Sequence, residues 1–204
     1  MDLKMGKIRV GPETALLLAA SLLVLTPGEA LAVLLAAALH EAGHLAAVAL
    51  CGGKVDSVRA GAGGLEITYG GGSRSYLSDA LCAAAGPGAG ILAAAAASAA
   101  EKWLAAPGAG FFAGASLALS LFNLLPASVL DGGKILYAAA APAFGPQNAE
   151  KIRRWADLSV CAALFAAGAY VFLRCSWNPA VLICAAVLAN NCCKTPAGRV
   201  KSFL

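Results

Sequence analysis

Long apolar runs separated by short polar segments dominate the chain. A helix needs about 20 mostly apolar residues to cross a bilayer. We therefore predict an all-α polytopic membrane fold with six membrane-spanning helices. The predicted spans are residues 12–26, 30–51, 80–100, 108–130, 158–173 and 177–193. The first is short, because its uncharged core, Ala15–Leu25, needs flanking residues or a locally thinner bilayer to cross.

The segment between the second and third spans has a different pattern. Apolar and polar residues alternate in Val55–Ala60 and in Leu65–Tyr69, and a glycine-rich stretch, Gly61–Gly64, joins them. Alternation with a period of two is typical of strands, so we predict a β-hairpin over about residues 54–70, on the cytoplasmic face. An exposed strand edge accepts an extended peptide, whereas a plain solvated turn does not, and the sequence leaves both interpretations open.

Composition supports the membrane interpretation. Hydrophobic residues make up 60% of the chain and charged residues 13%, and the mean hydropathy is +0.75. Soluble domains are nearer 45–50% apolar and about 25% charged. A chain of 204 residues has too few polar residues to cover this much apolar surface. No small-x-small cleavage pattern follows the first apolar run, so we predict no removable signal peptide.

The basic residues predict the orientation of the spans. With six spans and a cytoplasmic N-terminus, all of the 15 Lys and Arg residues except Lys102 and Arg174 fall on the cytoplasmic side. This asymmetry favours six spans with both termini in the cytoplasm. The stretch Pro142–Arg154, which contains Gly145-Pro146 and a basic cluster, is predicted to be a cytoplasmic loop. Docking of an acidic partner or lipid headgroups there and simple solvation both stay open.

The chain contains seven cysteines, an odd number, and most lie inside apolar runs. This pattern argues against a disulfide framework and favours small buried hydrophobic residues. Acylation of Cys192-Cys193, or metal binding there, is a further alternative.

The sequence His40-Glu41-Ala42-Gly43-His44 lies inside the second span and contains the only two histidines of the chain. Residues four apart share one face of a helix, so both imidazoles can reach one metal ion. The pattern H-E-x-x-H is typical of zinc proteases, in which the glutamate is the general base. Ionisable groups inside a membrane helix cost about 2.5–3.5 kcal/mol each, which favours a functional interpretation.

A catalytic zinc ion takes three protein ligands and keeps one open position. Since there is no third histidine, the third ligand must be a carboxylate or a thiolate. Asp131 is the leading candidate, because it closes the long apolar run 111–130 and Gly132-Gly133 follow it. Pro126 breaks the helix just before it. His44 lies about 9 Å of helix from the cytoplasmic end of its span, so both residues reach the cytoplasmic half of the membrane.

These motifs resemble those of the site-2 protease family, the intramembrane zinc metalloproteases of peptidase family M50. The family pairs HExxH with a later N-x-x-P…LDG motif, matched here by Asn123, Pro126 and Leu130-Asp131-Gly132. Residues 8–140 resemble the family core, and Lys7–Pro12 before the first span and Ala84–Pro87 in the third also resemble it. The small size, without PDZ or CBS domains, is most similar to the sporulation-type branch.

The chain departs from the family pattern at two places. A second proline is common shortly before the LDG, where this chain has Ala127-Ser128-Val129. An asparagine is common three residues after the Gly-Pro of the third span, where this chain has Gly90. Neither position is a proposed metal ligand, so these departures concern substrate gating and local helix shape.

The resemblance implies a single metalloprotease domain over residues 1–204 that holds one zinc ion through His40, His44 and Asp131. Glu41 would be the general base of a metalloendopeptidase (EC 3.4.24 type). The asparagine of the family falls at Asn123, the candidate donor to the oxyanion. Lys134 and the backbone amides of Gly132 and Gly133 are the alternatives for that donor.

The implied activity is hydrolysis of peptide bonds in membrane-associated substrates, as in regulated intramembrane proteolysis of a sigma-factor precursor or an anti-sigma factor. We expect the chain in the bacterial cytoplasmic membrane, in contact with the lipid bilayer and a membrane-associated protein substrate, and without a nucleic-acid partner. A regulatory membrane partner or a homo-oligomer stays open.

The alternative functions are a non-proteolytic membrane metal-binding scaffold, a transporter and a soluble zinc protease. A transporter should have polar residues along a path through the membrane, whereas those of this chain cluster at one depth. An inactive scaffold would have lost Glu41 or a ligand. The predicted spans argue against a soluble protease.

Overall fold

The computed structural model describes residues 25–52, 75–106, 108–174 and 181–193 in full, and the backbone of residues 3–5, 8–10, 54–61, 64–70, 180 and 194. These parts form four strands and six helices. The strands are β1 Leu3–Met5, β2 Ile8–Val10, β3 Lys54–Gly61 and β4 Gly64–Gly70. The helices are α1 Pro27–Leu50, α2 Tyr76–Leu104, α3 Ala109–Asn123, α4 Asp131–Phe144, α5 Pro146–Arg174 and α6 Ala180–Lys194. The predicted first span, apart from Leu25 and Thr26, lies outside the described residues.

Helix α1 begins at a capping box. The Thr26 hydroxyl accepts a hydrogen bond from the Glu29 amide at 3.4 Å, and the Glu29 carboxylate accepts one from the Thr26 amide at 2.8 Å. Pro27 occupies the first helical position, where its missing N–H costs nothing. Alanine and leucine, both strong helix formers, continue the helix to Leu50. The histidine pair is therefore carried by a regular, uninterrupted helix.

Helix α2 lies against α1, α3 and α4, and small residues bring α1 and α2 close together. An added Cβ at Gly43 of α1 would come within 2.5 Å of the Ala85 carbonyl oxygen of α2. An added Cβ at Gly86 of α2 would overlap the His44 imidazole. Glycine at both positions lets the two backbones approach, as is common between membrane helices.

The chain leaves helical conformation earlier than the predicted fourth span, 108–130. Helix α3 ends at Asn123, and residues 124–130 form a turn that we call the ligand turn. Pro126, inside this turn, cannot donate a helical hydrogen bond. Asp131 consequently starts a new helix, α4, instead of ending α3.

The predicted loop at Pro142–Arg154 is wrong, because the chain is helical on both sides of Gly145. Gly145 has a φ of +78°, which glycine adopts readily and which allows a sharp turn within one residue. Pro146 then starts α5, a position that proline favours. Glu150 pairs with Arg153 and Arg154 at i,i+3 and i,i+4 spacing, which supports the first turns of α5.

Three of the described helices are long and apolar enough to cross a membrane: α1, α2 and α5. Helix α3 and residues 181–193 of α6 are apolar but shorter. Large apolar side chains such as Leu31, Leu92 and Leu158 lie exposed on the outer faces of the long helices. Such a surface suits lipid contact, and the helices are those of an integral membrane protein. The total of six spans stays a prediction.

The strands form one sheet in the order β1-β2-β3-β4. Strands β1 and β2 pair antiparallel, β2 and β3 pair parallel, and β3 and β4 pair antiparallel. Strands β3 and β4 lie in the segment where the sequence predicts a hairpin. The cytoplasmic position of this hairpin and its capacity to accept a peptide stay predictions.

Candidate metal centre

Three side chains from two helices meet at one point: His40 and His44 of α1, and Asp131 at the start of α4. Asp131 Oδ2 lies 3.2 Å from His40 Nε2 and 3.0 Å from His44 Nε2, and the two Nε2 atoms are 3.2 Å apart. His40 is 3% exposed and Asp131 is 4% exposed, so the group is shielded from bulk solvent. A buried cluster of two imidazoles and one carboxylate is suited to hold a metal ion.

The orientation of His44 is set by the backbone of α2. His44 Nδ1 lies 2.8 Å from the carbonyl oxygen of Cys82, which can only accept a hydrogen bond. Nδ1 therefore carries the proton, and Nε2 presents a lone pair to His40 and Asp131. Metal-binding histidines commonly use their second nitrogen in this way, which raises ligand basicity and holds the ring.

The protonation of Nδ1 decides what His44 presents to Asp131, and this bears on whether the three residues fit a metal ion. With Nδ1 protonated, the Nε2 lone pair of a neutral His44 faces the Asp131 carboxylate at 3.0 Å, so two acceptors point at each other. A cation between them removes the repulsion and joins all three groups. Two imidazole nitrogens and one carboxylate oxygen are a donor set of catalytic zinc sites. The chemistry of this cluster thus fits zinc.

The second oxygen of Asp131 is held separately. Lys134 Nζ donates to Oδ1 at 3.0 Å across one turn of α4. This ion pair leaves Oδ2 directed at the histidines. The N-terminus of α4 also favours a negative charge at Asp131, because the helix dipole is positive at that end. Lys134, an alternative for the oxyanion donor, is therefore engaged with the third candidate ligand.

The glycines after Asp131 allow the ligand turn to fold back over α4. An added Cβ at Gly132 would overlap the Leu124 carbonyl, and one at Gly133 would overlap the Ala127 carbonyl. Both glycines are buried. The Gly-Gly pair is thus required by close backbone contact, which brings Asp131 under the turn.

The proposed catalytic residues differ in their surroundings. Glu41 follows His40 on α1 and is partly buried, with its Oε2 atom shielded from solvent. Asn123 is the last residue of α3, and its Nδ2 donates to the Leu119 carbonyl at 3.0 Å. The Asn123 amide is therefore bonded within its own helix, and a role as oxyanion donor needs its side chain to turn away from Leu119. Both catalytic roles stay predictions.

Sequence reasoning missed two contributors to this centre. The Cys82 carbonyl orients His44, and nothing in the sequence distinguishes that carbonyl from its neighbours. Gly86 leaves the room that the His44 ring occupies. Gly86 lies in the Ala84–Pro87 stretch that resembles the family, so its position was indicated there but its contact with His44 was not.

The cysteines only partly follow the prediction of burial. Cys82 is buried, with its thiol 3.8 Å from that of Cys51, whereas Cys184 and Cys193 are exposed. The six cysteines within the described residues are all free. Free cysteine behaves as a small hydrophobic residue, so exposed cysteines on an apolar helix are compatible with a lipid-facing surface.

Comparisons with known proteins bear on the family and the fold. Residues 87–167 match the family model of peptidase family M50, a range that includes Asn123 and Asp131. The structure is similar to that of the site-2 protease from Methanocaldococcus jannaschii, with a TM-score of 0.70 and 17% sequence identity. The match covers 98% of this chain and 97% of that one, so the two share a fold along nearly their whole length. None of the curated proteins matches the sequence.

Proposed function

We propose that this chain is a member of the site-2 protease family and a zinc-dependent metalloendopeptidase (EC 3.4.24 type) that hydrolyses peptide bonds of membrane-associated proteins. The observation that carries the proposal is the meeting of His40, His44 and Asp131 at 3.0–3.2 Å in a bundle of mainly apolar helices. Placing these groups among membrane helices costs free energy. A metal-dependent reaction at this site explains why the chain keeps these polar groups in spite of the cost.

In this mechanism His40, His44 and Asp131 would hold one zinc ion per chain. When bound, zinc supplies Lewis-acid polarisation of the scissile carbonyl and acidifies a water molecule. Glu41, next to His40, receives the proton of the attacking water at its carboxylate and passes it to the leaving amine. The Cys82 carbonyl and Lys134 keep His44 and Asp131 in fixed orientations throughout.

The oxyanion of the tetrahedral intermediate needs a preorganised donor. Asn123 is the first candidate, because its amide lies at the end of α3, directly before the ligand turn. Its Nδ2 donates to the Leu119 carbonyl, so this role requires the side chain to turn away from Leu119 when substrate binds. The backbone amides of Gly132 and Gly133 are the second candidates, and Lys134 is the third because it is paired with Asp131.

The substrate is a membrane-associated protein whose helix unwinds at the cleavage site, since a helical backbone has its carbonyls already bonded. By analogy with the sporulation-type branch, we propose a sigma-factor precursor or an anti-sigma factor as the substrate class. We place the chain in the bacterial cytoplasmic membrane, with both termini and the active site towards the cytoplasm. A regulatory membrane partner or a second copy of the chain would act from within the bilayer.

The alternative of a transporter or metal-binding scaffold is less well supported. Within the described residues, one group of metal-ligating side chains is present, at His40, His44 and Asp131. A transporter needs successive polar sites along a path. Glu41 also has a function in hydrolysis that a scaffold does not require.

The experiment is cleavage of a tagged membrane-embedded sigma-factor precursor by the purified chain in liposomes. Glu41→Gln should bind zinc with the same stoichiometry as the wild type and lose nearly all cleavage, because the general base is gone while the ligands remain. Glu101→Gln, at the exposed end of α2, is the matched control and should cleave normally. Equal cleavage by wild type and Glu41→Gln would contradict the mechanism.

A further inference from the structure

The ligand turn is fastened to helix α5 by its backbone. The amide of Ser128 donates to Asp157 Oδ1 at 2.6 Å, and the carbonyl of Ser128 accepts from Arg153 Nη1 at 3.4 Å. The backbone N–H and the backbone carbonyl of Ser128 are thus both bound by side chains of α5, and these side chains lie one helical turn apart. Ser128 stands three positions before Asp131, so this attachment acts directly on the segment that delivers the third candidate ligand.

Arg153 is itself held in place. Its Nε and Nη2 atoms donate to both oxygens of Glu150 at 2.8–3.0 Å, a two-point contact that fixes the plane of the guanidinium. The Arg153 and Glu150 side chains are 12% and 16% exposed, so water screens them little. The remaining Nη1 is directed at the Ser128 carbonyl as a result.

Apolar contacts reinforce the same attachment. Ala127 and Leu130 of the ligand turn form a buried cluster with Val160 of α5 and Leu188 of α6. Leu130 directly precedes Asp131, so its burial against α5 and α6 leaves the carboxylate little freedom to move. The thiol of Cys192 in α6 also lies 3.6 Å from Asp157 Oδ1.

The opposite side of the turn meets the first residues of α4. The Ala127 carbonyl occupies the space that a Cβ at Gly133 would need, and the Leu124 carbonyl occupies the space that a Cβ at Gly132 would need. The turn is therefore packed between α5 on one side and the start of α4 on the other. A displacement of Ser128 would therefore also displace Asp131.

We propose that Asp157 and Arg153 are positioning residues that hold the ligand turn on α5, so that Asp131 meets His40 and His44. This inference rests on the metal centre of the proposed function. It assigns a role in metal binding to two residues of α5 that lie within the family match over residues 87–167 but outside the motifs that carry the family resemblance. Charged partners suit this task, because a hydrogen bond to an ionised group is about twice as strong as a neutral one.

The test measures zinc affinity of the purified full-length chain by competition with a chromophoric chelator. Asp157→Ala leaves the Ser128 amide without an acceptor and should weaken zinc binding by about 10–100-fold, the range for residues that orient ligands. Asp157→Asn keeps an acceptor oxygen without the charge and should lose less. Glu101→Ala is the control and should bind zinc as the wild type does.

A purely structural role for Asp157 would lower the thermal stability of the metal-free chain but leave zinc affinity of the folded protein unchanged, and that result would overturn the proposal. If Asp157→Ala does not fold, Arg153→Met decides by the same criterion. It removes the longer Ser128 contact, to the carbonyl, together with the Glu150 pairing, and leaves the contact of the Ser128 amide with Asp157 in place. Failure of the wild type to bind zinc would instead reject the metal centre itself. If Asp157→Ala and Arg153→Met both bind zinc normally while Glu41→Gln is inactive, the positioning role is rejected and the proposed function stands.

Discussion

The Cys82 carbonyl accepts a hydrogen bond from His44 Nδ1 at 2.8 Å, and this contact decides which nitrogen of His44 faces Asp131. The carbonyl belongs to α2 and the histidine to α1, so the packing of two helices sets the tautomer of one side chain. Gly86, one turn further along α2, leaves the space in which the ring stands. The tautomer of His44, a candidate metal ligand, is thus a consequence of close helix packing.

Gly86→Ala should disturb this arrangement, because the new Cβ would overlap the His44 ring. We expect cleavage activity to fall by about 100-fold, the loss that a displacement of about 1 Å causes in a catalytic group. Gly88→Ala is the matched control, since an added Cβ there meets no heavy atom within 4 Å. Cleavage and zinc content are measured for both variants. Equal activity in the two would show that the His44 position tolerates the change.

Asp131→Ala should remove the third ligand and weaken zinc binding by more than about 100-fold, beyond the loss expected for an orienting residue. Lys134→Met keeps the ligand but releases its second oxygen, and should weaken binding by about 10-fold. Zinc per chain is measured by elemental analysis after dialysis. Stoichiometric zinc in Asp131→Ala would assign the third position to another residue.

Removal of the metal should abolish cleavage. Treatment with 1,10-phenanthroline should stop hydrolysis, and added zinc should restore most of it, because the ligands stay in place on their helices. The isomer 1,7-phenanthroline has the same apolar rings without the chelating geometry and is the control for detergent-like effects. Inhibition by both isomers alike would point to a cause other than metal loss.

Gly133→Ala should destabilise the fold, because its Cβ would overlap the Ala127 carbonyl and force the ligand turn away from α4. The free energy of unfolding should fall by about 1–3 kcal/mol, as for other overpacked sites. Gly114→Ala, in the interior of α3, has open space at the same atom and should be neutral or slightly stabilising. Thermal unfolding in detergent micelles compares the two, and equal midpoints would show that the turn can move without cost.

The predicted topology places Lys102 and Arg199 on opposite sides of the membrane. A membrane-impermeant thiol reagent should label Lys102→Cys from the outside of intact cells and Arg199→Cys only after the cells are opened. The parent chain, with its native cysteines, sets the background of labelling. Labelling of both positions from the same side would reject the six-span arrangement.

Several features of the fold were accessible from local sequence. The apolar runs correctly indicated α1, α2 and α5, because the burial of apolar side chains in lipid depends on composition and length alone. The resemblance to the site-2 protease family is supported by the match of residues 87–167 to the model of peptidase family M50, and the fold is shared with a solved site-2 protease. The sporulation-type branch stays a prediction.

Other features depended on contacts that local sequence does not record. Proline and glycine at 142–146 suggested a loop, yet Gly145 alone makes the turn and both flanking segments stay helical. Their helices persist because α4 and α5 pack on each other and because Glu150 pairs with Arg153 and Arg154. Tertiary contacts there outweigh the local turn preference.

The sequence by itself determined that His40 and His44 share a face, because helix geometry relates residues four apart wherever the helix lies. It also narrowed the third ligand to a small set of acidic residues and thiols. Asp131 was the leading candidate among them, but only the tertiary structure shows its carboxylate meeting both imidazoles at 3.0–3.2 Å. The turn before Asp131 contacts Asp157 and Arg153, two glycines of α4 pack beneath it, and a carbonyl of α2 orients His44. These contacts join residues far apart in the chain, and their energies exist only once the helices have packed.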